Sequence, residues 1–191
     1  PFYAKLKPYS GDYLVWEGLV PDFTTKEAAA IFGDYHANNL IVKGITGFKL
    51  DECDNQPQGS QPWSFPELSK FPSGMDGEQM HSLFGIVYQQ VIGALYRQVN
   101  VRTYGQVRAS HALAGPLPFV IYSDYYDHRG FVRAMLNAGF SGLLWQPELR
   151  DATSLDDMYR RIQTAVLSPQ VIVNAWEVPN PPWRQINLEK N

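Results

Sequence analysis

Three acidic residues, Asp51, Glu52 and Asp54, close the run Gly44-Ile-Thr-Gly-Phe-Lys-Leu-Asp-Glu-Cys-Asp54. The apolar part of that run alternates enough to be a buried strand, with Lys49 expected to be buried inside it. A carboxylate at the carboxyl end of a buried parallel strand faces a crevice and is held rigidly, which is where α/β proteins place chemistry. A lone aspartate there would mark only a solvated strand exit; three acids in four positions favour a site without naming a reaction. Later strand ends carry Arg108, then Asp124, then Trp145 with Glu148, then Asn174 with Trp176. Two carboxylates on separate strands, flanked by aromatics and an arginine, suit acetal hydrolysis. One attacks the anomeric carbon while the other protonates the leaving oxygen, about 5–5.5 Å away in a retaining enzyme. Aromatic rings meanwhile offer flat apolar faces to the C–H side of a sugar.

Other readings compete at the same residues. Asp51, Glu52 and Asp54 could hold a divalent cation through hard oxygens, but His36, His81, His111 and His128 lack ligand-like spacing and read as surface or hydrogen-bonded structural residues. Cys53 between acids is a poor nucleophile, because its thiolate is disfavoured, and reads as a small packed side chain. Trp145 and Trp176 are as often core residues as ligand platforms. Asp127 could cap a helix that begins in Tyr125-Tyr-Asp-His-Arg129.

The elements that must position these residues follow from periodicity. Residues 1–23, rich in aromatics, glycine and proline, read as a structured loop rather than a helix. Thr24-Thr-Lys-Glu27 reads as a capping box with Thr24 as the cap, followed by Ala28, Ile31, Phe32, Tyr35 and Leu40 at helical spacing. A strand is expected over 45–50. Residues 55–75 form a long irregular insertion whose Trp63, Phe65 and Phe71 suggest an ordered lid over the active-site face. A helix over 76–100 carries Met80, Leu83, Phe84, Val87, Tyr88, Val91 and Leu95 as a single apolar stripe. Strand-like runs at 102–108, 118–123, 141–145 and 171–175 alternate with helices near 128–138 and 154–166, the latter with Met158, Tyr159, Ile162 and Val166 on one face. Alternating helices and near-continuous apolar strands mean an α/β fold with a parallel sheet, doubly wound or barrel-shaped. No strand is followed by a Gly-rich phosphate fingerprint, which weakens the nucleotide-binding version.

The 191 residues suffice for one core or a large piece of a bigger one. A net charge of −3 with no basic run argues against nucleic acid and against anionic membranes as partners. No apolar stretch has bilayer-spanning length. The single cysteine, Cys53, forms no internal disulfide and leaves the compartment open. The start at Pro1, without methionine or signal-like segment, reads as a trimmed or excised piece.

Val20-Pro-Asp-Phe23, Gly47-Phe-Lys-Leu-Asp51, Arg108-Ala-Ser110, Asp124, Gly142-Leu-Leu-Trp145, Arg160-Arg-Ile-Gln163 and Pro182-Trp183, in that order, resemble glycoside hydrolase family 31. That family comprises retaining α-glucosidases, α-xylosidases and relatives on a (β/α)8 TIM barrel. The resemblance implies that Asp51 is the nucleophile after the fourth strand and Asp124 the general acid/base after the sixth. It sets Arg108 near the first sugar subsite and Trp145 before the family's usual His-Asp pair. Here Gln146-Pro-Glu148 replaces that pair, and Val173-Asn-Ala175 stands where many members have histidine. Both departures fall in the subsite that reads the sugar's hydroxyls, so glucose specificity is open. Lys49-Leu-Asp-Glu-Cys-Asp54 with Tyr122-Ser-Asp-Tyr-Tyr-Asp127 looks closer to a bacterial branch that includes α-galactosidase-like members.

The implied mechanism is double displacement without a cofactor. Ionised Asp51 attacks C1 of an α-glucoside or α-galactoside, protonated Asp124 serves the leaving oxygen, and Asp124 then activates water. Asp124 would keep a raised pKa through the apolar Phe119-Val-Ile-Tyr122 surroundings and the charge on Asp51. A complete barrel needs about 250 residues, so residues 1–191 are expected to form part of one catalytic barrel, about strands 3 to 8 with their helices. Unpaired edges would favour homo-oligomers, and the chain alone need not be active. A noncatalytic sugar-binding module and an inactive barrel fragment are the alternatives.

Overall fold

The computed structural model of the chain describes residues 1–53, 65–108, 112–122, 127–174 and 180–186. These residues form two compact units, Pro1–Phe119 and Val120–Asn191.

The first unit opens with regular structure where a loop was expected. Helix α1 (Phe2–Leu6) and a 3-10 turn lead into an antiparallel hairpin, β1 (Ser10–Val15) and β2 (Gly18–Pro21). Glycine and aromatic residues mimicked a loop because the hairpin is short and its turn unusual. Trp16 and Glu17 both take positive φ, 49° and 63°, the twist a two-residue hairpin demands and which Asn-Gly normally supplies. Behind β2, the fully buried Asp22 accepts from the Thr24 hydroxyl at 2.5 Å and from the Ser73 amide at 2.8 Å. Thr24 is thereby spent on Asp22, and the cap of helix α2 (Lys26–Asn39) moves one residue on. Thr25 Oγ1 accepts from the Ala28 amide.

Helix α3 (Gly77–Gln98) starts with a full capping box, Asp76 and Gln79 serving each other's amides. Its apolar surface is wider than one stripe. Met80, Phe84 and Leu95 are buried, but so are Ile86, Gln89, Ile92, Gly93 and Tyr96 on the other flank. Residues 65–75, the described half of the expected insertion, are anchored rather than loose. Lys70 and Asp12 exchange two hydrogen bonds, and buried Phe65 meets Phe84 at 5.1 Å. Trp63 lies outside the described residues.

The strand expected over 45–50 narrows to β3 (Lys49–Leu50), which pairs in parallel with β4 (Gly105–Val107). Glycine makes the approach possible: a Cβ on Gly47 would collide with the Tyr104 carbonyl. Leu50 and Val107 are buried, whereas Lys49 is half exposed rather than buried. Strand β5 (Phe119–Ile121) begins at the end of this unit.

In the second unit, Ile121 bridges Trp145 in parallel. Helix α4 (His128–Phe140) is capped by Asp127, which accepts from the Gly130 amide at 2.6 Å. Strands β6 (Glu148–Leu149) and β7 (Ile172–Val173) pair in parallel on either side of helix α5 (Leu155–Ala165), and a short helix α6 (Pro182–Gln185) follows. Strand β6 lies beyond the expected 141–145 run, whose one ladder residue is Trp145. The buried face of α5 is Met158, Thr164 and Ala165. Tyr159 and Val166, expected on it, are exposed, Val166 as the residue that ends the helix, and Asp157 pairs with Arg161 at 3.1 Å.

Candidate active site

Asp51 follows directly on β3, at its carboxyl end, as expected. Parallel pairing carries Arg108 to the same end of β4: the Arg108 amide donates to the Leu50 carbonyl at 3.0 Å. Arg108 Nη1 then lies 3.3 Å from Asp51 Oδ1, and Lys49 Nζ lies 3.3 Å from Asp51 Oδ2. The Glu52 amide also donates to Asp51 Oδ1 at 2.9 Å. Two cations and an N–H around one carboxylate favour its ionised form. Glu52 holds φ at 52°, and the buried Cys53 thiol donates to the Asp51 carbonyl at 3.1 Å, so the chain turns sharply just after the acid. Cys53 is a packed side chain, in keeping with its sequence context. Its neighbour Asp54 lies outside the described residues.

A cavity of about 430 Å3 opens beside Asp51 and Glu52. Its walls are mostly apolar and aromatic, with Trp16, Phe23, Phe84 and Tyr88 among them. Burial, then the neighbouring Cys53 and Asp51, push the Tyr88 phenol well above its ordinary value, so it stays neutral. Trp16 and Tyr88 were not among the residues the sequence singled out for the site. For Trp16 the available signal was Val15-Trp-Glu-Gly18, a tryptophan at a turn, which the structure leaves 69% exposed. Tyr88 was hidden inside the apolar pattern of α3.

The second unit holds a separate polar group. Glu148, 3% exposed at the start of β6, accepts a hydrogen bond from the Asn174 side-chain amide, and the Asn174 backbone N–H donates to the Leu149 carbonyl at 2.8 Å. Trp145 is 7% exposed and meets Phe131 of α4 at 5.9 Å, edge to face. It packs on the helix side of its strand. Gln146 is buried, and neither end of its carboxamide has a hydrogen-bond partner. Leaving such a group unpaired costs about 1–3 kcal/mol. Asp124 and Trp176 lie outside the described residues.

His36 and His81 behave as packed structural groups. His36 Nδ1 lies 2.8 Å from the Phe32 carbonyl and its ring stacks on Phe32, while burial lowers its pKa against the opposing pull of that hydrogen bond. Burial lowers His81 as well. His111 lies outside the described residues. Among the described residues no cluster of His, Cys, Asp or Glu could hold a metal ion.

Short parallel strands alternating with helices, and an acid and an arginine at adjacent strand ends, define a piece of an α/β barrel with a polar site at its carboxyl end. The model of the Glycosyl hydrolases family 31 TIM-barrel domain matches residues 3–187. The chain belongs to that family, and its fold is an incomplete (β/α)8 barrel. Among solved structures it is similar to an uncharacterized protein from Listeria monocytogenes EGD-e in complex with alpha-D-glucose, beta-D-glucose, magnesium and calcium. The TM-score is 0.73 at 21% identity, covering 97% of this chain and 19% of that one. It is also similar to the cycloalternan-forming enzyme from Listeria monocytogenes in complex with a pentasaccharide substrate, with a TM-score of 0.68 at 18% identity and the same coverage. The chain thus spans about a fifth of the length of these proteins. No curated protein matches it by sequence.

Proposed function

We propose that the protein is a glycosidase that cleaves α-linked glucosides or galactosides with retention of configuration. Asp51 is the nucleophile and Asp124 the acid/base. The observation that carries the reading is the Asp51 carboxylate, framed by Arg108 and Lys49 at a strand end and opening onto a cavity of about 430 Å3 walled by aromatic rings. A retaining mechanism asks for an unprotonated carboxylate that can reach C1, and aromatic walls suit the apolar faces of a pyranose. Family membership and the sugars held by the two solved relatives support a carbohydrate substrate.

In this mechanism Asp51 attacks the anomeric carbon, and the bond to the leaving oxygen breaks as Asp124 supplies its proton. A covalent glycosyl-enzyme forms. Asp124, now a carboxylate, takes a proton from water, which releases the sugar with its original anomeric configuration. Arg108 keeps the nucleophile ionised and aimed. Glu148 with Asn174, and Asp54 and Trp176, complete the proposed binding residues, whereas Trp145, packed against Phe131 of α4, is not among them. Residues 55–75 are proposed to cover the active-site face, within one catalytic barrel domain that includes residues 1–191.

The test is a panel of chromogenic α-glycosides given to the protein at its natural full length, with the anomer of the first product followed by NMR. Hydrolysis of an α-glucoside or α-galactoside to the α-anomer is expected. Release of the β-anomer, or no cleavage across the panel, would reject the proposal.

A further inference from the structure

The cavity beside Asp51 and Glu52 has a wall of rings that hold one another in place. Phe23 lies 4.9 Å from Tyr88 and 5.4 Å from Phe84, and Phe32 lies 5.5 Å from Tyr88, ring centre to ring centre. These rings come from the end of β2, from α2 and from α3, so the space is formed by packing and costs a ligand little ordering. Trp16, at the hairpin turn, adds a ring that solvent still reaches. Charge in this wall has one sign. Glu17 enters beside Trp16, and Asp51 with Glu52 enters after β3, while the described lining holds no lysine, arginine or histidine. It holds no serine, threonine, asparagine or glutamine either. Arg108 and Lys49, the cations that meet Asp51, stand outside the lining.

A second sugar ring carries several hydroxyls, and walls of this composition would leave most of them without a partner. An organic cation fares better. Aromatic faces attract it through their quadrupoles, and carboxylates add Coulomb attraction where apolar walls keep the dielectric low. A volume of about 430 Å3 falls within the roughly 300–1,000 Å3 of small-molecule sites. Asp51 lines the same cavity, so the carbon it attacks, and the group bonded to that carbon, would sit against these walls. We infer that the cavity receives the leaving group of the glycoside, and that this group is an apolar body bearing an amine or quaternary ammonium. The inference deepens the proposed function and rests on its glycosidase reading. It adds the chemical class of the non-sugar half of the substrate.

The probes are the 4-(trimethylammoniomethyl)phenyl and 4-neopentylphenyl α-D-glucosides and α-D-galactosides, given to the protein at its natural full length. The two leaving groups differ in charge at nearly equal size. Wild type is expected to show a KM about tenfold lower for the cationic member of the pair that it cleaves, and added salt should shrink that preference. Glu17→Gln and Glu52→Gln should each reduce the preference severalfold while the KM of the neopentyl glycoside holds, which separates lost charge from lost fold. Benzyltrimethylammonium chloride, titrated by calorimetry, gives a second readout that needs no turnover: wild type should bind it, and Glu17→Gln more weakly. Equal KM for the two leaving groups, or a preference that both variants retain, overturns the inference and leaves the proposed activity standing. Binding of benzyltrimethylammonium that weakens in Glu17→Gln, with no glycoside cleaved, removes the activity and keeps the cavity as an organic-cation site. Neither cleavage nor binding of the cation overturns both.

Discussion

Asp51 and Arg108 meet at 3.3 Å because their strands pair in parallel with Leu50 opposite Val107. The ion pair is a consequence of register: slipping β4 by one residue would turn Arg108 to the other face. The pair sits partly in solvent, with the Asp51 side chain 43% exposed, so its value lies in aiming and charging the acid more than in stability.

Replacing Asp51 with Asn removes the nucleophile and keeps the shape. Turnover of the best α-glycoside substrate should fall by roughly a thousandfold or more, with the melting temperature nearly unchanged. Residual hydrolysis within tenfold of wild type, measured on material purified away from the parent enzyme, would remove Asp51 from that role.

Arg108→Ala separates charge from fold. The Arg108 side chain is 14% exposed and that of Asp51 43%, so the pair is only partly screened by solvent and chemical denaturation should register a loss of about 1–2 kcal/mol. The rate should nevertheless drop by about tenfold or more, and more in kcat than in KM, because the carboxylate loses a cation that holds it ionised and aligned. A variant with wild-type kcat would show that Arg108 is only a surface partner.

The hairpin tip gives a prediction with opposite signs. Trp16 holds φ at 49°, which Asn tolerates better than a bulky residue. Trp16→Asn should leave stability unchanged or raise it by a few tenths of a kcal/mol. The same change strips an aromatic wall from the cavity and should raise KM severalfold. Loss of stability together with unaltered KM would mean that Trp16 serves the fold alone.

In the second unit, Phe131 is fully buried, with Trp145 at its edge and the Arg161 guanidinium 5.7 Å above its ring. Phe131→Ala should cost about 3–5 kcal/mol in urea unfolding. A loss below 1 kcal/mol would mean that α4 is not held through this contact.

Acid should weaken the protein in two steps. Burial depresses His36 and His81 below the ordinary 6.5, so the unfolded chain takes up protons first as pH falls. Stability is therefore complete above about pH 6.5 and declines from there down through the folded-state values. Asp157 acts at lower pH: burial pushes its pKa up, but Arg161 and the Thr153 amide outweigh that and hold it below 3.8. Its contribution is present above 3.8 and disappears as pH falls through the folded value. Melting temperatures of wild type and of a His36→Phe, His81→Phe double variant, followed from pH 7.5 to 5, check the first step. A slope unaltered in the double variant would contradict it.

Local chemistry was legible in the sequence wherever a few neighbouring residues settle the outcome. Asp127 as a helix cap, α2 and α3 in their places, Cys53 as packed filler and Asp51 at a strand end all follow from short-range hydrogen bonding and periodicity. Misreadings came where a side chain had a second partner competing for it. Thr24 was expected to cap α2, but Asp22 claims its hydroxyl. Lys49 was expected to be buried, but it turns out to meet Asp51. Tyr159 and Val166 lost their place on α5 to a face centred on Met158 and Ala165.

The ordered motifs determined by themselves which family the chain belongs to, because residue types at strand ends survive in the primary structure however the chain is arranged. Tertiary structure alone decided that Arg108 touches Asp51, that Trp16 and Tyr88 wall the cavity beside them, and that Trp145 faces a helix. Pairing register and the two faces of a strand depend on partners dozens of positions apart, and no local pattern encodes them.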